Sequence, residues 1–91
     1  MKRDVISKEL KKIISKQLNI DNNYFSNYSY NGDNLLLSKD LKADLLDQYE
    51  ILNKIEKKYN ILLNDEIILS SNDITISKYV DVIYNELTKN K

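Results

Sequence analysis

Residues 39–50 read KDLKADLLDQYE. Asp44 stands immediately before an apolar pair, and Asp47 follows it by three residues. That spacing is a helix start: Asp44 as N-cap, with a second carboxylate at N3 able to reach back to it. It is a capping-box-like pair with Asp in place of the usual Glu. Both acids also suit the positive end of a helix dipole. Leu45 then occupies the first helical position. Downstream, LLDQYEILNKIEKKY (45–59) places Leu46, Tyr49, Leu52, Ile55 and Tyr59 at steps of three, three, three and four, which predicts a helix over 45–59.

Two further helices are legible on either side. Residues 4–18, DVISKELKKIISKQL, put Ile6, Leu10, Ile13, Ile14 and Leu18 on one stripe with Lys and Glu opposite. Asp4 is the expected N-cap. Residues 75–88, TISKYVDVIYNELT, carry Ile76, Tyr79, Val80, Ile83, Tyr84 and Leu87 at helical spacing, with Thr75 as N-cap.

Between the first two helices, residues 19–39 show no sustained period and collect Asn, Asp, Ser and the single Gly. They read as a long loop, anchored by Tyr24, Phe25, Tyr28 and Tyr30 covering the core, the less favoured alternative being that some of them line a small-molecule or partner cleft. With one Gly and no Pro in the chain, Asn must supply most of the turn chemistry. In residues 60–73, Ile61 and Leu63 are expected to plug the core. Asn64-Asp65 then opens a short helix through Ile67, Ile68 and Leu69, with a β-strand as the competing assignment for these Ile-rich runs. The whole is expected to be one all-α domain spanning 1–91.

Composition excludes several function classes. Cysteine and histidine are both absent, which removes disulfides, thiol nucleophiles, common zinc sites and imidazole acid–base catalysis. No metal site is expected, no catalytic residue is identified, and the chain is not expected to be an enzyme. Formal net charge is zero, which argues against nucleic-acid binding through counterion release. The basic first stretch, with Lys2, Arg3, Lys8, Lys11, Lys12 and Lys16 against Asp4 and Glu9, reads as a solvated helix face in preference to a contact for an acidic partner. No apolar run approaches the ~20 residues needed to cross a bilayer, and the basic N-terminus lacks the apolar core of a secretory signal. A soluble cytoplasmic protein is expected.

The order and spacing of these elements resemble the acyl carrier protein family. In that family the second helix opens on a D-L-G-A-D-S-L-D pattern followed shortly by an acid. Here the residues are Asp40-Leu41-Lys42-Ala43-Asp44-Leu45-Leu46-Asp47, matching six of eight positions, with Glu50 as the acid. LKKIISKQLNI (10–20), YNILLNDEII (59–68) and DITISKYVDVIY (73–84) are similar to the family's first helix and its exit, its core plug and short third helix, and the start of its last helix. Asn64 stands where the family favours Pro. The resemblance covers about residues 6–87, with some extra residues in the long loop.

The resemblance implies a helical bundle of three main helices plus a short third one. It also implies a serine at the helix tip that bears 4′-phosphopantetheine, whose phosphodiester would sit beside free N–H groups and positive potential. Residue 45, where that serine would fall, is leucine. Lys42 replaces the motif's glycine, and Lys54, Lys57 and Lys58, with Glu56 between them, follow the acids where such carriers stay acidic.

The expected function is therefore a carrier-like, non-catalytic module for protein partners near fatty-acid or polyketide metabolism, acyl-transfer or synthase enzymes being the partners implied. Asp44, Leu45, Leu46, Asp47 and Glu50 form its partner-binding surface, and no cofactor is expected. The bland reading of the same residues is that the acids only cap a helix and Leu45 tucks into the first loop. The alternative is a working carrier, if Leu45 is an introduced substitution or another serine is used. Of these, Ser38 lacks the acidic flank, and Ser70, Ser71 and Ser77 lie far from the motif.

Overall fold

The computed structural model describes residues 2–64 and 73–89. Three α-helices carry the architecture: α1 (Arg3–Leu18), α2 (Leu45–Tyr59) and α3 (Ile76–Thr88). The fold is an all-α bundle in which α1 packs against both α2 and α3. The short helix expected near 64–69 lies outside the described residues, apart from Asn64.

Each helix contributes one apolar stripe. Ile6, Leu10 and Ile14 come from α1, Ile51, Leu52 and Ile55 from α2, and Ile76, Tyr79, Val80 and Ile83 from α3. Burying a large aliphatic side chain is worth about 1.5–3 kcal/mol each, so this shared centre outweighs anything the polar surface supplies. Ile13, Leu18, Tyr84 and Leu87 pack partly buried around it.

The α2 stripe differs from the one read off the sequence. Leu46 and Tyr49 point outward, and Ile51 is buried instead. A step of three residues falls about 60° short of a full helical turn. Successive steps through 46, 49, 52 and 55 therefore drift about half-way round the helix. They begin on the solvent side and end in the core.

Helix ends follow local chemistry. The α1 N-cap is Lys2, without a side-chain cap bond, so Asp4 sits inside the first turn rather than at the cap. It still faces the favourable dipole end. At α3, Thr75 Oγ1 accepts from the Lys78 N–H at 3.1 Å, as its position predicts. Asn19 and Asn60 close α1 and α2 with φ of 56° and 55°. Ile20 N–H then donates to the Ser15 carbonyl and Ile61 N–H to the Glu56 carbonyl. These are Schellman-type ends with Asn in the left-handed position that Gly commonly fills.

The long first connection is ordered from within. It contains two 3₁₀ turns, Asn22–Asn27 and Ser29–Gly32. Phe25 is its buried anchor and Tyr24 is partly buried, whereas Tyr28 and Tyr30 are exposed. The expectation that all four aromatics cover the core therefore fails for these two. The apolar work passes to Leu37, Leu41 and Ala43, all buried.

The end of the loop is stitched to the entry of α3. Leu37 N–H donates to the Ile74 carbonyl, and Ile76 N–H to the Leu35 carbonyl, around an antiparallel bridge between Leu36 and Thr75. Asp73 accepts from the Ser38 and Lys39 N–H groups at 2.9 and 2.7 Å. This clamp holds the residues leading into α2. After α2, Leu63 is buried and its N–H donates to the Glu56 carboxylate at 2.9 Å, while Ile61 is partly buried.

Candidate functional site

The chain reaches the tip of α2 through a forced backbone turn. Lys42 has φ 63°, a left-handed conformation that costs an L-residue about 1–2 kcal/mol and glycine almost nothing. The motif's preference for glycine at this point thus has a conformational cause. The turn is held on both sides: Lys42 N–H donates to the Ser38 carbonyl and Ala43 N–H to the Leu37 carbonyl.

Beyond the turn the capping box is complete. Asp47 N–H donates to Asp44 Oδ1 at 2.8 Å, and Asp44 N–H donates to Asp47 Oδ2 at 3.2 Å. Asp47 has a further partner that sequence reasoning missed. Gln17 Nε2, at the end of α1, donates to Asp47 Oδ1 at 3.2 Å, while Lys54 Nζ donates to Gln17 Oε1 at 3.0 Å. The Gln17 hydrogen bond, followed by the one from the Asp44 backbone, lowers the Asp47 carboxyl below its ordinary range. No local pattern could have flagged Gln17, because it lies on another helix.

Leu45 and Leu46 follow the cap as the first two helical residues, and both are exposed, at 58% and 68%. Leu45 does not tuck into the first loop. Tyr49 is also exposed, and Glu50 lies on the same open side. The five residues read as a surface from the sequence are therefore neighbours at one helix end: an apolar pair bordered by Asp44, Asp47 and Glu50.

The chemistry available at this tip is limited. Residue 45 ends in methyl groups, so it offers no oxygen from which a phosphodiester could be made. The Leu45 side chain itself therefore cannot be esterified to a phosphopantetheine arm. The exposed Ser38 is held by its backbone N–H to Asp73 within the loop, not at a helix start. Ser77 lies in the first turn of α3, and Ser70 and Ser71 fall outside the described residues. Among the described residues, no group of carboxylates is arranged to hold a metal ion. None of their helices is long and apolar enough to cross a membrane.

Comparison with known proteins agrees with an acyl-carrier-like fold. The chain is 38% identical over 84 residues to an acyl carrier protein of Buchnera aphidicola subsp. Schizaphis graminum, covering 92% of this chain and 96% of that one. It is 39% identical over 61 residues to an acyl carrier protein of Buchnera aphidicola subsp. Baizongia pistaciae, covering 67% and 70%. An acyl carrier protein of Cyanophora paradoxa matches at 32% over 79 residues, 87% of this chain and 69% of that protein. The helical bundle and the capped start of α2 are consistent with the carrier type of these relatives. The chain belongs to the acyl carrier protein family. No protein-family model matches it.

Proposed function

We propose that this chain is a carrier-family protein that has given up its prosthetic group and works by protein contact. The observation that carries this reading is Leu45: a hydrocarbon side chain at the first position of α2, exposed and next to an intact capping box. The helix start that would position a serine is kept, while the attachment atom is absent. On this reading Leu45 and Leu46 form an apolar contact, and Asp44, Asp47 and Glu50 form its polar rim. The partners are acyl-transfer or synthase enzymes of fatty-acid or polyketide type, and the chain itself catalyses nothing. The family assignment supports this choice of partners, and the expected cytoplasmic setting belongs to the same proposal.

Steering by charge is confined to the first two turns of α2, because Lys54, Lys57 and Lys58 reverse the sign beyond them. Docking therefore depends more on the two leucines than on long-range attraction. The test is binding of purified acyl-transfer and synthase enzymes from the same cell to the wild type and to a Leu45→Asp/Leu46→Asp double variant. Both side chains are exposed, so the variant keeps its fold, as circular dichroism would verify. Loss of binding in the variant supports the reading. Equal binding by both proteins excludes the helix tip as the docking site.

A further inference from the structure

Two exposed apolar groups lie at opposite ends of α2 on its open side. Leu45, Leu46 and Tyr49 stand at the N-terminal end, and Leu62, 80% exposed, stands just past the C-cap Asn60. Between them runs a shallow groove lined by Glu50, Asn53, Lys54, Glu56, Lys57, Asn60, Ile61 and Leu62. Charge is unevenly divided along this face: Glu50 stands in the first half of the groove, and Lys54 and Lys57 outnumber Glu56 in the second, where the Glu56 carboxylate already accepts the Leu63 N–H. Neither Glu50 nor Lys57 forms an ion pair among the described residues.

This arrangement is self-complementary under a two-fold axis. We propose that the occupant of the α2 face is a second copy of this chain, packed with its α2 antiparallel to the first. An axis passing between Asn53 and Lys54 sets Glu50 of each copy opposite Lys57 of the other. The same register brings Leu45 and Leu46 against the Ile61-Leu62 end. One shift thus satisfies the unpaired charges and covers the exposed leucines together. The contact is isologous and closes at two subunits.

The interface is one helix pair, about 22 Å long from a 15-residue helix at 1.5 Å rise. That places it at the small end of specific interfaces, below about 1,200 Å² in total. The dimer is accordingly weak, concentration-dependent and loosened by salt. It covers the helix tip, so docking of another protein there and self-association exclude each other. The inference does not rest on the proposed docking role, since it concerns the purified chain alone.

The experiment is sedimentation velocity on the full chain, from micromolar concentration up to about 1 mM. Glu50→Lys, Lys57→Glu and the double swap are measured beside the wild type, with circular dichroism to check the fold. The expected result is a wild-type mass rising towards twice that of the monomer. Each single reversal should weaken association about tenfold or more by setting like charges opposite. The double swap should restore it, because the two charges trade places across the axis. A wild type that stays monomeric throughout overturns the proposal. So does a dimer that ignores the single reversals, or a double swap that fails to recover it.

Discussion

Asp44 and Asp47 hold each other's backbone: each carboxylate accepts the other residue's N–H, at 2.8 and 3.2 Å. This reciprocal pair fixes where α2 starts and leaves Leu45 at its exposed first turn. Asp44→Ala removes the N-cap acceptor, and a lost cap of this kind costs about 1 kcal/mol. The expected outcome is a lower thermal midpoint with native helical content, measured by circular dichroism.

The same pair gives a pH dependence with a defined sign. Gln17 and the Asp44 backbone lower the Asp47 carboxyl below its ordinary 3.8. A depressed carboxyl stabilises the fold fully above its unfolded-state value, and the effect is lost as pH falls through the lowered one. Acid titration of the wild type should therefore show a stability loss below the ordinary carboxylate range. Gln17→Ala or Asp47→Asn should shrink that loss, as urea unfolding at a series of pH values would reveal.

Backbone conformation predicts opposite effects at two positions. Lys42 has φ 63°, so Lys42→Gly relieves a left-handed strain and should stabilise by about 1 kcal/mol. Gly32 has φ 81°, and a Cβ there would meet Phe25 Cδ1 at 3.0 Å and Leu35 Cδ1 at 3.1 Å. Gly32→Ala should destabilise by about 1–2 kcal/mol. Chemical unfolding of the two variants beside the wild type checks both signs.

Tyr79 is fully buried in α3, and among the described residues its hydroxyl has no hydrogen-bond partner. Leaving a buried donor unpaired is costly, so Tyr79→Phe should hold or raise the thermal midpoint. Burial, and next the Glu56 charge, raise the Tyr79 phenol above its ordinary 10.0. Its contribution is therefore whole below that value and drains away as pH rises past it. The Phe variant should push the alkaline limb of the stability profile upward. By contrast Ile55→Ala, at a fully buried α2 position, should cost about 2–5 kcal/mol.

The helices were legible because their periods and caps are local signals. Thr75, and Asp44 with Asp47, sit where short-range spacing puts them, and Asn19 and Asn60 take the left-handed ends in a chain with one glycine. The outward turn of Leu46 and Tyr49 was hidden, since a run of three-residue steps looks continuous in sequence while it drifts round the helix. The loop's true anchors were hidden too. Leu37, Leu41 and Ala43 are placed by pairing with Ile74 and by the Asp73 clamp, contacts separated by more than thirty residues. Of the candidate site, residue types and the helix start could be read. The exposure of Leu45 and the Gln17–Asp47 link needed the packed bundle.

The central claim is that residue 45 sits at a carrier-type helix start and cannot accept the arm. The direct measurement is intact-protein mass after incubation with coenzyme A and a broad-specificity phosphopantetheinyl transferase, for the wild type and for Leu45→Ser. The account predicts no mass change in the wild type and a gain of one phosphopantetheine arm in Leu45→Ser, because the cap and turn that present residue 45 are intact. A wild type that gains the mass of the arm would contradict it.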